Sequence, residues 1–283
     1  MTAPLDVTYG RLLRLYPADF RRERGAEMLD TLLEMAEDDG RSRPAPRETI
    51  ALVLTALRMR AGRESPTPWE SWLTAIRTGA LMLIVHAVAY PLALMTNAAL
   101  HRVPAFWEMS GPPERTLIPL ALALIALTLA LLRQYLVAAV VLVPAGFAGY
   151  WHLLAASALL AVLVRRRPLP PSGLLRYAAL APLLVAFLGE AGGQLFPQIS
   201  GIIGFGLLMA LPVAGLLWLA VDERVAMALG LLYLAGLLIG VGQVLIDDVY
   251  SWAWTGLSLA IAALPPALLL GLATETARRQ AKL

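Results

Sequence analysis

Three histidines and one acidic group are the side chains of this 283-residue sequence with chemistry to offer. His86, His101 and His152 each lack a second histidine or a carboxylate three or four residues away. That spacing stacks two metal ligands on one helix face, so the helical zinc-hydrolase motif is absent and no metal site is expected. His86 falls inside a long apolar stretch, where an ionisable group is a functional candidate by default. The competing reading is a neutral imidazole hydrogen-bonded between helices, which is cheaper to bury than a charge. The phosphate-cradling pattern G-x-x-x-x-G-K-[ST] does not occur, the only lysine being Lys282, and there is no G-x-S-x-G elbow. With no cysteine there is no thiol nucleophile, disulfide or thiolate metal site. An enzyme is not expected, nor any catalytic residue or cofactor.

The acidic group is Glu190, Asp247 and Asp248, with Gln194, Gln243 and Tyr250 close by in sequence. Carboxylates with aromatic neighbours can receive a cation, a proton or a cationic small ligand. The alternative is a set of solvated loop residues, since acidic side chains contribute little to membrane topology. The three meet only if the helices that carry them are neighbours, which the short connections 191–200 and 246–251 allow.

What must position these residues is overwhelmingly apolar. The chain is 59% hydrophobic and 15% charged, against about 25% charged in a soluble domain. Residues 1–77 hold 12 Arg and 12 Asp or Glu, whereas residues 78–283 hold 11 Arg or Lys and 8 acids. The expected fold is all-α, a small polar domain followed by a polytopic helical membrane domain. The net charge of +3 comes from arginines at membrane borders, which is not the footprint of direct nucleic-acid binding. The first long apolar run begins at residue 78, so the first span is expected to serve as the internal targeting signal.

Four regions follow. Residues 1–65 form a cytosolic helical domain, 66–77 a juxtamembrane segment with Trp69 and Trp72 behind the breakers Pro66 and Pro68, 78–272 the membrane domain, and 273–283 a basic tail. At about 20 apolar residues per crossing, eight spans are expected, at about 78–98, 116–132, 135–150, 151–164, 174–190, 201–220, 225–245 and 252–272. The third and fourth are short. Pro144, Gly146 and Gly149 interrupt the run 135–164, which reads as a hairpin of two short, tilted or re-entrant helices. Gly236 and Gly240 form a small-xxx-small pair, read as close packing within the chain. With the N-terminus inside, inner loops hold Arg133, Arg165, Arg166, Arg167, Arg176, Arg224, Arg278, Arg279 and Lys282, and outer loops only Arg102 and Arg115. This asymmetry places both termini in the cytoplasm of a multi-pass plasma-membrane protein.

In the polar domain, Tyr9, Leu12, Leu13 and Tyr16 form one helical stripe, and Pro17 ends it. A second helix to about Asp39 aligns Phe20, Met28, Leu29, Leu32 and Met35. A third, about Arg47 to Ala61, aligns Ile50, Val53, Leu54, Leu57 and Ala61. The expected core includes Leu12, Phe20, Met28, Leu32, Leu54 and Leu57. So small a domain sits near the lower limit of independent stability, and is either a self-contained cap or one completed by a partner.

The run Arg11 to Leu29, and above all Tyr16-Pro17, Phe20-Arg21, Gly25 and Glu27-Met28, resembles the permease prefix domain. That domain precedes the first membrane helix of some bacterial macrolide-export-like ABC permeases. A similar segment heads many uncharacterised actinobacterial membrane proteins, often encoded beside PadR-like regulators. A weaker echo runs from Ile50 to Gly62, so the resemblance covers about residues 9–62. It implies a cytosolic docking or regulatory role, with Tyr16, Pro17, Phe20, Arg21, Gly25, Glu27 and Met28 as partner-docking residues, and no catalytic ones. Those permeases carry a large extracytoplasmic domain after their first membrane helix, where this chain has short loops and many helices. The expected function is a membrane regulatory or sensor protein whose cytosolic domain docks a partner such as a PadR-like regulator. The alternative is a transporter or ABC-permease-associated subunit. Beyond the lipid bilayer and such a partner, the sequence names neither ligand nor oligomeric state.

Overall fold

Prolines and glycines mark where helices start and stop along this chain, whose computed structural model describes residues 4–61, 68–101, 114–166, 175–246 and 252–280. Every regular element among them is helical. Two compact units emerge: residues 1–64 with the short stretches 172–175 and 220–222, and the remainder. The main boundary falls between Glu64 and Ser65.

In the first unit, α1 (Leu5–Leu13), α2 (Ala18–Asp38) and α3 (Pro46–Arg60) follow Pro4, Pro17 and Ala45. A proline just outside or just inside the first turn loses no helical hydrogen bond. The end of α2 is a Schellman turn. Gly40 adopts φ +62°, the Gly40 amide donates to the Glu37 carbonyl at 2.9 Å and the Arg41 amide to that of Ala36 at 2.8 Å. This turn brings Arg41 back towards α3, where Glu48 Oε2 accepts from Arg41 Nη1 at 2.9 Å, the Tyr9 hydroxyl at 2.9 Å and the Ala45 amide at 3.4 Å. The last contact is one half of a capping box; alanine has no side-chain oxygen for the other half.

The core of this unit is Tyr9, Leu13, Tyr16, Leu32, Ala36, Leu52 and Ala56, with Leu12, Phe20 and Met28 packed against it. The expected α1 stripe is therefore inside, and so is that of α2 except at its far end, where the expected Met35 is corrected: it is 50% exposed. The α3 stripe is corrected: Leu52 and Ala56 are buried, Leu54 and Leu57 are half-buried, and Ile50 is 59% exposed. The small Ala56 lets α3 approach the bulky Tyr9 and Tyr16 rings, and the larger side chains are rotated away.

The second unit is built on α4 (Pro68–His101), 34 residues without a break, about 51 Å long at 1.5 Å per residue. The expected juxtamembrane segment is thus continuous with the first span from Pro68 onwards. Around α4 stand α5 (Glu114–Leu131), α6 (Tyr135–Phe147), α7 (Trp151–Val164), the single turn α8 (Leu175–Ala178), α9 (Ala181–Leu195), α10 (Ser200–Trp218), α11 (Glu223–Ile246) and α12 (Trp252–Gln280). The basic tail is helical as far as Gln280, where α12 ends, and Arg279 Nε donates to Glu275 Oε1 at 2.8 Å.

Two apolar cores meet on α4. One joins Leu83, Ile84 and Ala87 to Ala126, Ala138, Leu142, Leu153 and Leu160 of α5, α6 and α7. The other joins Ala75 and Met82 to Met227 and Leu229 of α11 and Leu269 of α12. Alanines at these crossings let the backbones approach. The surrounding helices turn large apolar side chains outwards, among them Phe147, Leu217 and Leu245, each more than 70% exposed. A soluble protein does not keep so much apolar surface; a protein bathed in lipid does. Among the described residues, three helices are long and apolar enough to cross a membrane, over Trp69–Ala93, Glu223–Leu245 and Thr255–Arg279, and five shorter apolar helices accompany them. The hairpin expected in 135–164 is present, with α6 and α7 joined by a tight turn at 148–150.

Candidate functional site

From residue 77 to residue 89 of α4 every side chain is buried except one, His86. A lipid-facing stripe would expose residues three and four positions away as well, yet Met82, Leu83 and Ala89 are all sealed. His86 therefore faces a local opening between neighbouring helices. What stands across from it is His152, in the first turn of α7: the imidazole centroids are 5.5 Å apart and the rings are crossed at 75°. The Tyr150 ring packs edge-on against His152 from the other side, at 5.9 Å. His152 Nε2 is buried and makes no hydrogen bond.

The turn of the hairpin is what delivers His152. Ala148 donates to the Pro144 carbonyl at 3.1 Å, Gly149 to that of Gly146 at 3.2 Å, and Leu153 to that of Tyr150 at 2.7 Å. Gly149 sits at φ +105°, a backbone conformation that glycine alone adopts without strain. Gly146 lets α7 close on α6, since a Cβ there would lie 2.3 Å from Leu154 Cγ. Ser157 ties the two helices further through its hydroxyl, which donates to the Ala139 carbonyl at 2.9 Å. Cavities flank the turn. One of about 500 Å³ lies between α5 and α6 and reaches Ala148, with Arg115 in its wall; one of about 250 Å³ lies between α7 and α11 and reaches Trp151 and Gln243.

Each neutral imidazole offers one donor and one acceptor nitrogen. The pair can hydrogen-bond a polar ligand, take up a proton or hold a cation. His86 was a candidate on its own, but its pairing with His152 was not legible, because 66 positions separate the two and ligand spacing is legible only within one helix. Among the described residues no three His, Asp or Glu side chains come together.

Of the acidic set expected from the sequence, one member lies among the described residues. Glu190 lies in α9, half-buried, while Asp247 and Asp248 lie outside the described residues. Of the docking candidates, Tyr16 is buried and stacked on Phe20 at 5.2 Å, and Phe20 and Met28 pack against the core. Pro17 and Gly25 are half-buried, and Arg21 and Glu27 are exposed. The aromatic members thus hold the unit together, and the charged members face outwards. His101 closes α4, and its side chain lies outside the described residues. In comparison with known proteins, no family model, no curated protein and no solved structure matches this chain.

Proposed function

We propose that the chain is an integral membrane regulatory or sensor protein. Its polar helical unit is cytosolic and docks a partner such as a PadR-like regulator, and its membrane helices carry the signal-receiving site. The observation that carries this reading is α4. It is one continuous helix that starts just after the polar unit and presents, near its middle, the single exposed residue of its buried stretch, His86, to His152. A ligand or ion seated between the histidines bears on α4, and any tilt or shift of α4 is delivered to the chain that leads into the polar unit. The resemblance of residues 9–62 to the permease prefix domain supports the docking role. Arg21, Glu27 and the exposed Ile50 and Met35 give the unit charged and apolar surface for a partner.

The nine-to-two distribution of basic residues supports cytosolic termini and an even number of crossings. The α6–α7 hairpin favours a second reading, a transporter or permease-associated subunit. At 13 and 14 residues its helices are about 20 Å long, short of a bilayer core of about 30 Å. Interrupted helices of this kind form midplane binding sites in transporters.

A tagged full-length chain captured from its native membranes separates the readings. Co-purification of a PadR-like DNA-binding protein, lost on Arg21→Glu with Glu27→Arg, supports regulation. Co-purification of a nucleotide-binding ATPase subunit overturns it in favour of transport.

A further inference from the structure

Buried near the start of α4 is a cation for which the described residues supply no counter-charge. Arg77 is 6% exposed, and its Nε and Nη1 are shut from solvent without a hydrogen-bond partner. The Tyr135 hydroxyl, at the start of α6, is in the same condition, its residue 3% exposed. Among the described residues, the titratable side chains that act electrostatically on Arg77 are Tyr135 and Arg133, and no carboxylate is among them. Arg133 adds a second positive charge. It occupies the left-handed position that ends α5, at φ +62°, where its own amide and that of Gln134 donate to the carbonyls of Ala130 and Leu129. The backbone there is satisfied and the guanidinium is exposed and unpaired.

A buried charge left without a partner is strongly unfavourable, and so are buried donors left unbonded. Two guanidiniums and a phenol within electrostatic reach of one another, with no carboxylate among the described residues acting on Arg77, ask for an anion that accepts several hydrogen bonds at once. Phosphate oxygens do this better than any other common biological group. With the orientation argued above, the patch lies at the cytoplasmic interface, the level at which lipid phosphates are always present, and basic pockets between helices on that side bind anionic head groups.

We infer that Arg77, Arg133 and Tyr135 form a phosphate-binding site, whose occupant is the head group of an anionic phospholipid of the inner leaflet. The two positive charges select a lipid with net negative charge over a zwitterionic one. The site rests on the membrane reading but is independent of the regulatory one, since binding here is measured without reference to any partner.

The test uses the full-length chain, purified in a non-ionic detergent and stripped of lipid, with thermal unfolding followed at increasing concentrations of short-chain phosphatidylglycerol, short-chain phosphatidylcholine or inorganic phosphate. Phosphatidylglycerol should raise the unfolding temperature at concentrations at least tenfold below those at which phosphatidylcholine does. Arg133→Gln, exposed and therefore safe for folding, and Tyr135→Phe, which removes one oxygen, should together weaken that effect about tenfold. Arg77→Gln should unfold no earlier than the wild type in the stripped state and gain nothing from the lipid, a crossing of stabilities that a purely structural arginine would not produce. An equal response to inorganic phosphate would keep the site and assign it to free phosphate. Equal responses to the two lipids, or a phosphatidylglycerol effect untouched by the three substitutions, would overturn the inference.

Discussion

At Glu48, one carboxylate oxygen collects three donors from three parts of the polar unit. Burial pushes this carboxyl up, but the bonds from Arg41, Tyr9 and Ala45 outweigh it and hold the group below the usual carboxylate range. Tyr9 moves the other way, raised by burial and by its bond to Glu48, and so stays a donor. A carboxylate whose value is lower in the folded state adds stability that is fully present above its unfolded value, about 4.3. That stability disappears as the pH falls through the folded value. Amide exchange in α1 and α3 of the full chain should therefore accelerate below about pH 4, and Glu48→Gln should flatten that dependence. Glu48→Ala should destabilise the unit by about 1–2 kcal/mol at neutral pH. Acid exchange profiles identical for wild type and Glu48→Gln would remove Glu48 from this role. The pairing of Arg41 with Glu48 was not legible in the sequence, because their meeting depends on the left-handed Gly40 that redirects the chain. The tyrosines were legible, since Tyr9 and Tyr16 repeat at helical spacing.

At the scale of elements, composition told where helices run and glycine content told that some approach closely, but not on which face. The pair Gly236 and Gly240 had the expected small-xxx-small spacing, yet a Cβ at Gly236 would meet open space and one at Gly240 only Leu259 at 3.9 Å. The tight crossing is elsewhere. A Cβ at Gly230 would lie 2.6 Å from Leu270 Cγ, where α11 meets α12, and one at Gly215 would lie 2.8 Å from Leu229 Cδ1. Rotation about a helix axis is set by all its neighbours together, and a helix apolar on every side carries no periodic signal of that rotation. Gly230→Ala should cost about 1–3 kcal/mol through overpacking, while Gly236→Ala should be neutral or slightly stabilising through helix propensity. Thermal unfolding of both variants in one detergent checks this, and equal losses would mean that α11 packs in another rotation. The α3 stripe failed for a related reason: the larger residues look like the core, but the bulky Tyr9 and Tyr16 left room only for the smaller Ala56 beside Leu52.

For the whole molecule, the arrangement hangs on α4, which both apolar cores share. Its inner third carries buried polar groups rather than apolar ones: Ser71, Thr74, Arg77 and Thr78, with the Ser71 hydroxyl donating to Glu223 Oε1 of α11 at 3.3 Å. Side chains of this kind do not settle in the centre of a bilayer, so the polar end of α4 belongs at an interface and its apolar remainder crosses. Arg133 lies on the same level as Arg77, and Arg165 and Arg166 follow directly on α7, so the ends of α5 and α7 that carry these arginines are expected on one side. Basic residues resist translocation in short loops, and in the proposed topology that side is the cytoplasm. The expected outcome is concrete. Reporter fusions at Gly173 and Leu283 should be active as cytoplasmic reporters, and one at Ser110 as an extracytoplasmic reporter. Replacing Arg165, Arg166 and Arg167 by glutamine should raise the fraction of chains with a mixed signal at Gly173, because the first span alone no longer dominates. A cytoplasmic signal at Ser110 in the wild-type chain would reverse the orientation. It would also move the Arg77 patch to the opposite interface, and so would count against an inner-leaflet lipid as its occupant.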